Sequence, residues 1–389
     1  MKGLVWHGKG DIRCEIVPDP ELEHPRDAIV KVTSCALCGT DLHVYNGFVP
    51  TMKPRHVVGH EFMGEVVDVG REAKNMKIGE RVVVSCYINC GTCDQCRRGN
   101  FAFCETSNRH RALAEKTFGR TVAGLFGFNE LTGGYQGAQA EYVRVPLADT
   151  THMKIPDSLP DEQVLFISDS LATGWQAALQ CDIDPTDTVA VWGMGAIGQF
   201  TVRSALLLGA EKVIAIDCVP ERLSMAEAAG AIPINFEEES VIERLSELTK
   251  GKGPDKCVDA VGMEAHPTGS LDSMYDRFKQ AVMQETDRPH VLREMMYVCR
   301  QGGTLSVPGL YAGLLDKIPF GAAMNKGLTI RPSLAHVPRW SRDLLELIED
   351  GELDPSFVIT HNAPLEDGPE MYRLFNEKLD GCVKVVLRP

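Results

Sequence analysis

What the sequence lacks narrows it first. No apolar run in its 389 residues approaches the length of a membrane span, so no membrane partner is expected. Basic residues are not in excess. Fifty-four acidic against 40 lysine and arginine side chains leave a net charge of −14, whereas nucleic-acid binding normally needs a basic face. The opening M-K-G-L-V-W-H-G-K-G has no long apolar core of the signal-peptide kind, which points to the cytoplasm. Internal repeats, low-complexity tracts and an obvious flexible linker are missing too, so composition does not mark the domain boundaries. Cysteine, by contrast, is plentiful. In a reducing compartment, thirteen cysteines are expected as thiols and metal ligands rather than disulfides. The length suits two domains.

The stretch T-V-A-V-W-G-M-G-A-I-G-Q-F, beginning at Thr188, organises the rest. Residues 189–192 form a short apolar segment that suits a strand buried on both faces. Gly193, Gly195 and Gly198 follow as G-x-G-x-x-G, with Ala196 and Ile197 between the last two. The first glycine allows a tight turn, the second a close approach of backbone to a pyrophosphate, and the third close packing of helix on strand. A helix is expected over 199–208, its N-terminal N–H groups facing the anion. A second strand over 213–216 ends in Asp217, nineteen residues after Gly198. A carboxylate there accepts hydrogen bonds from both ribose hydroxyls and repels a 2′-phosphate, which favours NAD over NADP. Arg222, close by, softens that repulsion.

Residues 1–155 carry short β-type segments, among them 28–33, 62–69, 81–85 and 139–145, separated by glycine and proline. Within them, C-A-L-C-G-T-D-L-H contains Cys38, and V-V-G-H-E follows with His60 and Glu61. Thiolate and imidazole are zinc's preferred ligands, although either residue alone is equally a buried core side chain. Cys14 and Cys35 read as buried small hydrophobes. Cys90, Cys93, Cys96 and Cys104 lie within fifteen residues, the first three separated by two-residue gaps, a spacing that wraps one closed tetrahedral ion. An iron–sulfur centre would use the same ligands, but nothing else in the sequence asks for electron transfer. Structural zinc is expected in a lobe over 86–105.

These motifs, in this order, resemble the zinc-containing medium-chain alcohol dehydrogenases over nearly the whole chain. The resemblance implies an α/β protein with a GroES-like, mostly β catalytic domain (1–155 and 326–389). A Rossmann doubly wound parallel-sheet domain (156–325) would interrupt it. It also implies two zinc ions per chain, NAD, and a homo-oligomer, dimer or tetramer. Many members carry a second cysteine ligand before a T-G-Y-type helix. Here the matching stretch is F-I-S-D-S-L-A-T-G-W, and Asp169 stands in that place. With Cys38 and His60, a carboxylate keeps the ligand charge and leaves a fourth position open. The alternative is a cap for a helix starting at Ser170.

An aspartate in this frame, with the extended segment 263–290, resembles the glutathione-independent formaldehyde dehydrogenases and formaldehyde dismutases. In these the segment helps cover a tightly held NAD. Ser170-Leu171-Ala172 departs from their bulkier I-L-P or I-F-P. The implied reaction is hydride transfer from a small alcohol or aldehyde hydrate to nicotinamide. Thr40 and His43 would relay the proton. Glu61 would approach the metal or pair with a buried arginine such as Arg331. Val261, Gly262 and Pro308 would lie along the cofactor cleft. Lys384 would meet the pyrophosphate or stand as an exposed edge lysine. Cys181, Cys218, Cys257 and Cys299 read as structural thiols, and His266 and His336 as loop histidines. A polyol, threonine or general alcohol dehydrogenase with exchangeable NAD shares every motif but Asp169. A non-catalytic NAD- and zinc-binding protein is the reading from another class.

Overall fold

The computed structural model describes residues 1–264, 289–311 and 315–389, so most of segment 263–290, with His266, lies outside the described residues. The chain divides into two units. One is Met1–Ala172 together with Ala335–Pro389; the other is Thr173–Leu334. Residues 156–172 and 326–334, expected from the family resemblance in the opposite domains, therefore change sides. The short turn Leu165–Ser168 packs on the strand Glu61–Val69, which draws its neighbours into the first unit.

The first unit is built on mostly antiparallel sheets, its one parallel strand pair among the described residues being His361–Pro364 with Val385–Arg388. Lys2–Gly8 lies between Asp11–Ile16 and His56–Val57. A larger sheet runs in the order His152–Lys154, Arg81–Val84, Glu61–Val69, Ala28–Ala36, Val385–Arg388 and His361–Pro364, with Tyr142–Val145 also on Ala28–Ala36. Over Val30–Ser34 buried residues alternate with exposed Lys31 and Thr33, while both ends of Ala28–Ala36 are buried on both faces. Two register shifts against Glu61–Val69 bend the pair. Residues 139–141 are not part of the ladder. Gln139 instead exchanges backbone bonds with Val58 and Leu4.

The second unit carries a six-stranded sheet whose every pairing is parallel. Its order is Ile232–Asn235, Lys212–Asp217, Thr188–Trp192, Lys256–Asp259, Thr304–Val307 and Thr329–Pro332. This is the doubly wound order, which reverses beside the first strand in sequence. Ala190 and Trp192 face one core cluster, Val189 and Val191 the other, so Thr188–Trp192 is buried on both sides. Each buried Val or Ile contributes about 1.5–3 kcal/mol, which is why this apolar run takes the centre. The helix after it is Ala196–Leu207, starting three residues earlier than the spacing suggested, so Gly198 falls in its first turn. Among the described residues, no helix is long and apolar enough to cross a membrane.

Candidate functional site

Strand register brings the first two site residues together. Ala36 pairs with Glu61, so Cys38, just past one strand, and His60, just before the other, meet at the same sheet end. Asp169 arrives at the end of the turn Leu165–Ser168, which is held there by a bond from the Cys86 N–H to the Ser168 carbonyl (3.0 Å). Asp169 Oδ2 lies 3.8 Å from Cys38 Sγ and 3.3 Å from His60 Nε2. The edges of a zinc tetrahedron with ligand bonds of about 2.0–2.3 Å are roughly 3.3–3.7 Å long. Thiolate, imidazole and carboxylate at these separations fit a zinc ion with one position left open.

The surroundings support each ligand. His60 Nδ1 is 3.2 Å from Asp41 Oδ1, and among the described residues the two buried atoms have no other partner. A carboxylate behind Nδ1 holds the proton there and would leave Nε2 free to face a metal ion. Burial works against an imidazolium, but Asp41 and then Asp169 and Cys38 outweigh it, holding the His60 pKa well above its usual range without a metal. Asp41 itself is the third residue of the helix Gly39–Tyr45 and also accepts the Cys38 N–H (3.0 Å). Cys86 Sγ lies 3.5 Å from Asp169 Oδ1, the oxygen turned away from His60. Burial and the Asp169 charge push its pKa well up, so it donates as a thiol. The sequence reading assigned no role to Asp41 or Cys86. The acid in the helix's first turn was the signal for Asp41; Cys86 offered none, since only tertiary packing brings it to Asp169.

Thr40 and His43 sit on the same short helix as Asp41, Thr40 half-buried and His43 buried. Glu61 is fully buried, and its partner is Lys384, not Arg331: Oε2 lies 2.5 Å from the Lys384 ammonium. Arg331 belongs to the other unit and donates to the Gln180 carbonyl. Lys384 therefore departs from both sequence expectations. It is neither exposed nor free for a pyrophosphate, because its ammonium is engaged by Glu61 and lies 5.4 Å from the centre of the Phe166 ring. Burial raises the Glu61 pKa against the opposing pull of Lys384.

Cys90, Cys93, Cys96 and Cys104 form a second cluster, with all four sulfurs within 4.8 Å of one another. Cys90–Cys96 and Cys93–Cys104 sulfurs are each 4.0 Å apart, close to the tetrahedral edge of about 3.8 Å for zinc–sulfur bonds. Backbone N–H groups of Thr92, Cys93, Cys96 and Glu105 point at Cys90 and Cys93 sulfurs. Such donors stabilise thiolates, so the donor set fits a closed zinc site. Cys14, expected to be buried, is only half-buried; Cys35 is fully buried. His336 is, as expected, a loop residue, the last before the helix Val337–Glu349, but it is buried and accepts the Ala102 N–H at Nδ1 (3.3 Å).

In the second unit, Gly195 opens the helix Ala196–Leu207, and among the described residues a Cβ placed on it would touch nothing within 4 Å. At Gly198 a Cβ would come 1.7 Å from the Gly193 carbonyl oxygen. Asp217 ends its strand with the carboxylate bonded to the N–H groups of Met194 (2.6 Å), Cys218 (2.7 Å) and Val219 (3.0 Å). It thus ties the glycine loop to the second strand. Arg222 lies on the helix Pro220–Ala228, and its carbonyl accepts from Gln199. Val261 and Gly262 follow one central strand and Pro308 the next, at carboxyl ends where doubly wound sheets bind ligands. The Val261 and Gly262 N–H groups both donate to Asp259.

Comparison with known proteins agrees with both halves. The family model described as the alcohol dehydrogenase GroES-like domain matches residues 24–157, and that of the zinc-binding dehydrogenases matches residues 196–277. An uncharacterised zinc-type alcohol dehydrogenase-like protein of Bacillus subtilis, AdhB, is 37% identical over 393 residues, covering 100% of both chains. The formaldehyde dismutase of Pseudomonas putida is 34% identical over 382 residues, covering 89% of this chain and 87% of its own. The solved structure of alcohol dehydrogenase TADH from Thermus sp. ATN1 is similar with a TM-score of 0.82 at 34% identity, covering 100% of this chain and 99% of its own.

Proposed function

The chain belongs to the zinc-containing alcohol dehydrogenase family, and we propose that it oxidises a small alcohol or aldehyde hydrate at Cys38, His60 and Asp169, with NAD as acceptor. The observation that carries this reading is the convergence of those three donors, drawn from three separate segments, at tetrahedral spacing. When bound, zinc supplies Lewis acidity at its open position and NAD supplies the hydride acceptor. Cys38 and Asp169 bring two negative charges against the ion, and Asp41 keeps the His60 proton on Nδ1. Thr40, two residues past Cys38, holds the substrate hydroxyl by a hydrogen bond, and His43 passes the released proton outward. The glycine loop binds the pyrophosphate, with Asp217 and Arg222 at the ribose and Val261, Gly262 and Pro308 along the nicotinamide side. The four-cysteine lobe takes a second, structural zinc.

Asp169→Ala tests the site. The unmutated chain is expected to hold two zinc ions by elemental analysis, and the variant one, with turnover lost. Retention of both ions by the variant would remove Asp169 from the ligand set. For the relay, His43→Gln is expected to slow turnover at least tenfold, with partial rescue by small buffer bases. Equal turnover at every buffer concentration would exclude it.

Aldehyde hydrates of the formaldehyde type are the favoured substrate. Asp169 in place of a thiolate and the likeness to the dismutase of Pseudomonas putida support this choice. If NAD stays bound, one hydrate is oxidised to the acid while a second aldehyde takes the hydride and becomes the alcohol. Purified protein is therefore expected to carry NAD(H) and to turn formaldehyde into equal amounts of formate and methanol with no nucleotide added. Nucleotide-free protein that turns over alcohols or polyols only with added NAD would instead identify a general alcohol dehydrogenase.

A further inference from the structure

Behind His60 runs a buried chain of polar contacts that ends near the far terminus. His60 faces Asp41 Oδ1, and the other oxygen, Oδ2, accepts the Gln139 side-chain amide at 3.1 Å. The same amide donates to the Ala36 carbonyl (3.3 Å). Gln139 Oε1 accepts the Tyr372 hydroxyl at 2.8 Å. Asp41, Gln139 and Tyr372 are at most 1% exposed. Tyr372 comes from the helix Gly368–Glu377, and its ring lies 5.6 Å from that of Tyr45, at the end of the helix that carries Asp41.

Chemistry fixes the direction of every bond in this chain. A carboxylate and a carbonyl only accept, so the amide nitrogen must face Asp41 and Ala36. The amide oxygen then faces Tyr372, whose hydroxyl must donate. Without that donor the oxygen is buried and unsatisfied, and turning the amide over would set it against the Asp41 carboxylate. Gly59, immediately before His60, is shaped around the same residue. A Cβ there would lie 2.4 Å from Gln139 Cγ, and its φ of +97° suits glycine alone. Room for Gln139 has thus been left beside the metal-ligating histidine.

We propose that Tyr372, acting through Gln139 and Asp41, is a positioning residue that locks the orientation of His60 and so sets how tightly the catalytic metal is held. The proposal rests on reading Cys38, His60 and Asp169 as that metal's ligands. Partners behind a metal-bound histidine typically change metal affinity by about 10–100-fold when removed, because the ring is then free to swing. Tyr372, on the C-terminal segment, would then act on the metal site through Gln139 and Asp41.

The test compares Tyr372→Phe with Tyr135→Phe, which removes a different buried hydroxyl bond in the same unit, that to the Ser107 carbonyl. Zinc release from purified protein is followed with a chromophoric chelator, and the cobalt-substituted forms by their visible d–d bands. In Tyr372→Phe, one of the two zinc ions is expected to leave about 10-fold faster, with shifted cobalt bands, while the second ion keeps its rate. Tyr135→Phe is expected to change neither. Release from Tyr372→Phe at the unmutated rates, or equal acceleration in both variants, would overturn the proposal. One zinc per unmutated chain would instead overturn the reading of the site on which it rests. Should Tyr372→Phe not accumulate, Gln139→Met is read by the same two signals.

Discussion

Glu61 and Lys384 show how a single side chain changes meaning with its surroundings. Both are essentially without exposure, and two charges taken out of water gain little net stability from each other. Removing one partner is another matter, because the remaining charge is buried alone. Lys384→Met is therefore expected to lower stability by about 3–5 kcal/mol, measured by denaturation of zinc-loaded protein. Lys384→Met combined with Glu61→Gln should regain most of that loss. If the double variant is no more stable than the single one, the pair is not what holds these residues inside. A lysine near the end of a strand reads locally as exposed, and no neighbour in sequence reveals that Glu61 waits for it.

At the scale of elements, the glycine loop separates folding from binding. A Cβ at Gly198 would overlap the Gly193 carbonyl, and backbone has little freedom to retreat. Gly198→Ala is expected to cost about 1–3 kcal/mol or more and to lose the nucleotide. At Gly195 the same Cβ has no neighbour within 4 Å among the described residues. Gly195→Ala should therefore melt like the unmutated chain and yet bind NAD at least tenfold more weakly, by crowding the pyrophosphate. Melting curves and NAD titration on the two variants check the contrast, and equal destabilisation by both would refute it. The reason this loop, the four-cysteine lobe and the Cys38 and His60 motifs are legible in the sequence is that each packs its chemistry into a few consecutive residues. Asp41, Cys86, Gln139 and Tyr372 act across strand pairings and up to 233 residues of chain, where no local pattern can report them. The early start of the helix Ala196–Leu207 is likewise a matter of loop geometry that periodicity does not resolve.

Over the whole molecule, the chain leaves the first unit at Ala172 and returns to it at Ala335. The return is sealed at its far end by Val385–Arg388, paired to Ala28–Ala36, and at its near end by His336. That histidine accepts the Ala102 N–H and packs edge-on against Phe103 at 5.0 Å, both residues just before Cys104 of the four-cysteine lobe. Acceptance requires Nδ1 to be unprotonated. Burial, helped by the nearby Arg339 charge, lowers the His336 pKa from 6.5 to about 4. The unfolded chain thus takes up a proton at this position across a range where the folded chain does not. Stability from His336 is complete above pH 6.5 and drains away as the pH falls towards about 4. With a discount for partial solvent access, the loss is about 2 kcal/mol. Zinc thiolates also protonate on acidification, so the unmutated curve alone does not isolate the histidine. His336→Asn keeps an acceptor near Nδ1 but cannot titrate. It is expected to be less stable than the unmutated protein at pH 7, to fall less steeply to pH 4.5, and to converge with it there. Parallel stability curves at matched zinc content would show that the junction between the returning chain and the four-cysteine lobe does not depend on a neutral His336.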